Sequence, residues 1–262
     1  KKMYKIKDLL RIEVAPALGC TEPSAVALCA AAAKSVFGGS QVERIELWVD
    51  SNVYKNGMGV AIPGAKGARG IELAAALGIF CGDAALKLQV LNNVDESCLQ
   101  SATEFVKDNK TAINVVYEKQ GIYIKCALHS RNSTAEAVIE DLHDNLTFLA
   151  VNGKEIESHP LISKITSGHN DLYRLEEWLK RKSLEDLLGF LDEMDDEDFD
   201  FIEEGLEYNL KLAHHGLTYG NGLGIGKTLE RLTIEGLLNR DMLTSARILT
   251  SAAADARMAG VK

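Results

Sequence analysis

The sequence lacks a long apolar run, a basic stripe and a regular set of cysteines, and each absence excludes a class of protein. No uncharged apolar stretch approaches the roughly 20 residues that a membrane helix needs. The longest, Pro23 to Ala33, is closed by Lys34, so no membrane-spanning role is expected. The opening KKMYKIKDLL is basic but has neither an apolar core nor a cleavage site, and it does not read as a secretion signal. No run of Lys and Arg interleaved with aromatics is present, which argues against a nucleic-acid partner. Five cysteines are an odd number without regular spacing. A disulfide framework is therefore not expected, and a reducing cytoplasm fits best.

What is present is material for a real core. The 262 residues are 46% hydrophobic, enough for one large domain or two modest ones. The formal net charge of −9 is concentrated in one place: Glu185 to Glu207 holds 12 acidic residues and no Lys or Arg. The remainder is slightly basic. Within the acidic run, Leu184, Leu187, Leu188, Leu191 and Met194, then Phe199, Ile202, Leu206 and Leu210, keep helical spacing. The run therefore reads as two amphipathic helices with solvated acidic faces, the first capped by Ser183.

Periodicity separates the chain into three zones. Residues 1–39 are helical: an amphipathic start from Tyr4 to Val14, a break at Pro16, then the alanine-rich PSAVALCAAAAKSVF ending at Gly38-Gly39. Residues 40–164 mix strands (VERIELWVD, INVVYE, IYIKCALH, AEAVIE, NLTFLAV) with helices near Ile71–Phe80 and Glu96–Asp108. Turns fall at Lys119-Gln120-Gly121 and Asn152-Gly153, the latter a strong hairpin signal. Residues 165–262 are helical again. The expected fold is α+β: a helical domain built from 1–39 and 165–262, with an inserted antiparallel-sheet α/β domain at 40–164. The alanine-rich helices offer faces on which a homodimer could pair. The chain starts without Met and stops at Lys262 inside a helix-like segment, so it reads as part of a longer protein.

Three stretches carry residues suited to chemistry. In Gly19-Cys20-Thr21-Glu22-Pro23-Ser24, Pro is tolerated in the first turn, so a helix starts at Thr21 or Glu22. Cys20 then stands just outside a helix N-terminus, where unpaired N–H groups and the dipole favour thiolate. That suits a nucleophile or an iron ligand; a small buried cysteine is the alternative. Cys29, Cys81, Cys98 and Cys126 lie in apolar or periodic surroundings and read as core. In the second stretch, Ser51 to Gly64, polar residues follow a strand and glycines allow close backbone approach. A carboxylate held by Lys55 and amide groups is one reading, an ordinary strand-to-helix loop the other. The third, Tyr219 to Thr228, mimics a phosphate loop. However, position 221 is Asn where a Walker A requires Gly, and a helix, not a strand, precedes it. A tight interhelical turn fits better. His214-His215, His143 and the other histidines show no zinc-ligand spacing, and His143-Asp144-Asn145 reads as a turn.

GCTEPSAVALCAA, SNVYKNGMGVAIPGAKGARG, HDNLTFLAVNGKEI, GLGIGKTL and AAADARMAG, in that order, resemble the L-cysteine desulfidase family, uncharacterised relatives of the L-serine dehydratase α-chain. The resemblance spans nearly the whole chain. It implies an oxygen-sensitive [4Fe–4S] lyase that eliminates sulfide from L-cysteine and gives pyruvate, ammonia and hydrogen sulfide. Cys20 matches the family's N-terminal cysteine, implicated in holding the cluster. The family's further cysteines are expected beyond Lys262, so the resemblance implies an incomplete C-terminus and a cluster that these residues alone do not complete.

Given that chemistry, a base must reach the α-carbon, and Glu22 and Lys55 are the candidates. Asn52, Asn56 and Lys55 are alternatives for orienting the substrate carboxylate. Asp255 and Arg257 divide between structure and substrate. L-Serine dehydratase activity and a non-catalytic amino-acid-binding protein are the competing expectations.

Overall fold

The computed structural model describes residues 4–14, 20–38, 41–119, 121–162 and 168–261, without the side chains of 12, 13 and 168–173. The expected break at Pro16, Gly39, the middle of the Lys119–Gly121 turn and the final Lys262 lie outside the described residues. In chain order the elements are α1 (Ile6–Glu13), α2 (Thr21–Val36), β1 (Arg44–Asp50), α3 (Ser51–Gly59), α4 (Ile71–Cys81), α5 (Glu96–Lys107), β2 (Thr111–Val116), β3 (Tyr123–His129) and β4 (Thr134–Glu140). They continue with β5 (Leu146–Val151), β6 (Lys154–Glu155), α6 (Gly168–Leu179), α7 (Leu184–Gly189), α8 (Asp196–Tyr219), α9 (Ile225–Ile234) and α10 (Met242–Met258). The fold class is α+β, as expected.

The chain forms two compact units: residues 1–16 with 164–211, and residues 17–163 with 212–262. In the larger unit a six-stranded sheet has the order β2-β1-β3-β4-β5-β6. It is mixed rather than antiparallel. β1 and β2 run parallel, with Leu47 opposite Ile113, while β1–β3, β3–β4 and β4–β5 are antiparallel. The parallel pair follows from the connection: α3, α4 and α5 intervene, and such a crossover returns the chain in the same direction. Asn152 and Gly153 both take positive φ in the turn before β6, as an Asn-Gly hairpin requires.

α2 lies in the core of this sheet-bearing unit. Residues Pro23 to Ala33 are all buried, which explains a composition apolar on every side. The helix is sandwiched between α4 and strands β3, β4 and β5. Alanines permit that, and so does Gly78, whose added Cβ would run into the backbone of Ala27. α4 is equally interior, with Ile71 and Leu73 to Ile79 buried. The faces expected for pairing with a second copy are thus occupied within the chain.

In the smaller unit, Tyr4, Trp178 and Phe190 form an aromatic row with centroid spacings of 5.4 and 5.2 Å. Lys7 reaches Asp195 and Glu197 at 2.8 and 2.7 Å. Ser183 caps α7 in a reciprocal box with Asp186, as expected. The apolar positions of the acidic run are less sheltered than their spacing predicts: Leu184, Leu188, Leu191, Phe199 and Leu206 are all exposed. No described helix is long and apolar enough to cross a membrane.

Candidate functional site

The buried carboxylate of Asp50, 2% exposed, organises one side of the site. It accepts hydrogen bonds from the amides of Asn52 (2.8 Å), Val53 (3.2 Å) and Tyr123 (3.0 Å). The first two cap α3 and the third ties that helix to the sheet. The Ser51–Gly59 stretch is therefore a helix, where the sequence left a loop as one reading. Gly57 is needed because a Cβ there would meet Ile71 Cγ2 at the start of α4. α3 thereby comes close enough to α2 for Asn56 Nδ2 to donate to Glu22 Oε1 at 2.9 Å.

Cys20 occupies the N-cap position of α2, with Thr21 as the first helical residue. The helix boundary matches expectation, but the thiol does not. Burial raises the Cys20 pKa above the ordinary thiol value, and the Glu22 charge raises it further. Arg257 opposes both without reversing the direction. Cys20 is thus held as a thiol, not the thiolate that the helix end alone would favour, because desolvation outweighs the dipole here.

On the other side, the end of α10 docks on the loop after α3. The Ala61 amide donates to the Met258 carbonyl at 2.9 Å, which puts Arg257 within electrostatic reach of Cys20. The adjoining Asp255 is structural. It is 2% exposed, and its oxygens accept from the amides of Gly226 (2.8 Å) and Leu223 (3.2 Å). The amides that would cradle a phosphate are already satisfied by the chain's own carboxylate, so Tyr219–Thr228 is an interhelical turn, as its spacing predicted.

The structure thus brings together Cys20, Glu22, Asn56 and Arg257. Asn52 and Lys55 share α3 but are exposed, and neither side chain has a hydrogen-bond partner among the described residues. The sequence reading missed His143. The turn before β5 places its Nε2 3.3 Å from Thr21 Oγ1, and burial lowers its pKa against the opposing charges of Glu22, Asp144 and Asp50. The only sequence signal was its place in the HDN segment, since the contact spans 122 residues.

An iron–sulfur cluster requires several thiolates, and the described residues do not supply them here. Cys29 and Cys126 are fully buried in the core, burial pushing the Cys29 thiol up to about 12. Cys81 and Cys98, expected as core residues, are only partly buried and joined as a disulfide, their Cα atoms 6.2 Å apart. Among the described residues no group of three His, Cys, Asp or Glu side chains is placed to hold a metal. Cys20 stands alone, and these residues by themselves do not fit the cluster.

Over 260 residues the chain is 48% identical to a UPF0597 protein of Desulfatibacillum aliphaticivorans, covering 98% of this chain and 59% of that protein. A UPF0597 protein of Desulforapulum autotrophicum is 44% identical over 259 residues, with the same two coverages. One from Caldanaerobacter subterraneus is 36% identical over 266 residues, covering 99% of this chain and 58% of that protein. The chain therefore spans about three fifths of the length of these curated relatives. No family model matches it, and no solved structure matches it.

Proposed function

We propose that this chain carries the amino-acid-binding and proton-transfer part of a cytoplasmic lyase that eliminates sulfide from L-cysteine. One observation supports this above the others. Four segments far apart in sequence meet at one place: the start of α2, the Asn56 side of α3, the His143 turn and the end of α10. A fifth, the Leu223–Gly226 turn, is pinned to α10 through Asp255. A convergence of a carboxylate, an amide, an imidazole, a guanidinium and a thiol supplies the groups that handling a small polar molecule requires.

The groups suit a zwitterion. Arg257 matches the substrate carboxylate, since a guanidinium presents paired donors to two oxygens. Glu22, steadied by Asn56, matches the ammonium or takes the α-proton. Lys55 and Asn52, exposed on the same helix as Asn56, guide the carboxylate on entry. The net reaction converts L-cysteine and water to pyruvate, ammonia and hydrogen sulfide. A [4Fe–4S] cluster would supply a Lewis acid for the departing sulfur. Cys20, a thiol here, would offer it one ligand only on losing its proton, and no step here is routed through it.

The test is the longest natural form of the protein, purified without oxygen and assayed for iron, acid-labile sulfide and pyruvate release. Pyruvate and sulfide from L-cysteine, with iron present, are expected. Preference for L-serine would reassign the substrate within the same reaction class. A fully active iron-free protein would overturn the cluster, and no turnover of either amino acid would overturn the lyase. The lone thiol favours a second reading for this chain on its own, binding of the amino acid without turnover, visible as thermal stabilisation by L-cysteine.

A further inference from the structure

His143 is set in a turn tied down on both sides. The Asp141 amide donates to the Ile122 carbonyl (3.0 Å), the Leu142 amide to Glu140 (2.8 Å) and the Asn145 amide to Leu142 (3.2 Å). The Asn145 side chain donates to the Glu140 carbonyl at 2.9 Å. Asp141 takes a φ of 67° to make the bend. This rigid turn presents the half-buried ring to α2, where Nε2 meets Thr21 Oγ1. Among the described residues the ring's one hydrogen bond is through Nε2, which leaves Nδ1 open. The Thr21 hydroxyl can accept from Nε2 or donate to it, so the contact fixes the ring's position, and in the tautomer protonated on Nε2 the open Nδ1 is arranged for proton transfer.

Resting on the lyase reading above, we propose that His143 is the base that takes the substrate α-proton, and that Thr21 is its positioning residue. With the ring proton on Nε2 and donated to Thr21 Oγ1, the Nδ1 lone pair is left to act. The Cα–H bond breaks as the proton passes to Nδ1, and its electron pair forms the Cα=Cβ bond. The Cβ–S bond breaks and sulfur leaves with its pair as HS⁻. The imidazolium returns the proton to it, giving hydrogen sulfide and aminoacrylate, which tautomerises and takes up water to yield pyruvate and ammonia. Glu22 is then the partner of the substrate ammonium, consistent with the hydrogen bond from Asn56 that occupies one of its oxygens.

The groups facing the ring are Glu22 from α2, Asp50 at the end of β1 and Asp144 from its own turn. Asp144 is itself paired with Lys87 at 3.3 Å. Burial keeps the ring neutral against these carboxylates, which is the form a base requires near neutral pH.

In the longest natural form assayed with L-cysteine, His143→Gln and His143→Ala are expected to lower kcat by ~10²–10⁴-fold. KM should stay within about threefold, since substrate binding is retained. Added imidazole should restore part of the His143→Ala loss, and Thr21→Val should lower kcat where Thr21→Ser does not. In this chain alone, ¹⁵N NMR of the ring should show the Nε2-protonated tautomer, with the preference lost in Thr21→Val. An active wild type whose His143→Gln variant keeps its kcat would overturn the proposal and leave the lyase standing. An Nδ1-protonated ring would overturn the assignment of the basic nitrogen. A wild type inactive on both amino acids would remove the lyase reading, and with it the role given to His143.

Discussion

Removing the Asp255 carboxylate should expose how the Leu223–Gly226 turn is held. Its two acceptor oxygens satisfy the Gly226 amide at 2.8 Å and the Leu223 amide at 3.2 Å. Hydrogen bonds to a charged acceptor contribute about 1.5–3 kcal/mol each. Asp255→Ala leaves the amide of buried Gly226 without an acceptor, so a loss of about 3–5 kcal/mol is expected. Asp255→Asn keeps one oxygen but turns an NH₂ toward the other amide, and about half that loss is expected. The larger unit can be followed by itself. It contains Trp48, whereas the other tryptophan, Trp178, lies in the smaller unit. In a Trp178→Phe background, urea unfolding read by fluorescence reports the unit that Asp255 belongs to. With a slope of about 3 kcal/mol/M, the Asp255→Ala midpoint should fall by about 1 M. An unmoved midpoint, or an Asn variant as weak as the Ala variant, would refute the reasoning.

Three further outcomes are expected. Gly57→Ala drives a methyl into Ile71 Cγ2 and should cost about 1–3 kcal/mol in the same urea assay, with amide signals shifting at Glu22 and Asn56. Cys20 should be alkylated slowly by iodoacetamide at pH 7 and faster only above pH 9, the ordinary thiol value. Arg257→Gln should slow it further, as peptide mass spectrometry would show, and rapid labelling at pH 7 would contradict the buried-thiol description. Finally, burial holds the folded His143 below its ordinary value of 6.5, so the unfolded chain takes up the proton first as pH falls. Stability from this group is complete above about pH 6.5 and declines as pH drops through the folded value. His143→Gln should flatten that limb of a pH–denaturation curve.

Much of the fold was legible because its elements are locally determined. α4, α5 and strands β2 to β5 follow from period and β-branched content, and the Asn152-Gly153 turn from its φ requirement. The parallel pairing of β1 with β2 was not, since register between strands about 60 residues apart is set by packing and not by either strand's own pattern. α3 was left open between loop and helix because its stability comes from Asp50, a residue assigned to the preceding strand. At the site, the helix-end position of Cys20 was readable, but its protonation depends on burial and on Glu22 and Arg257, which only the folded chain brings near. Asp255 and His143 were obscured for the same reason: each acts on partners 29 to 122 residues away.

The most direct measurement is a two-dimensional NMR titration of this chain with L-cysteine, with L-serine in parallel. One site built from distant segments predicts that signals at Glu22, Asn56, His143 and Arg257 shift together and saturate with a single dissociation constant. Shifts confined to one segment, or none at millimolar amino acid, would contradict it.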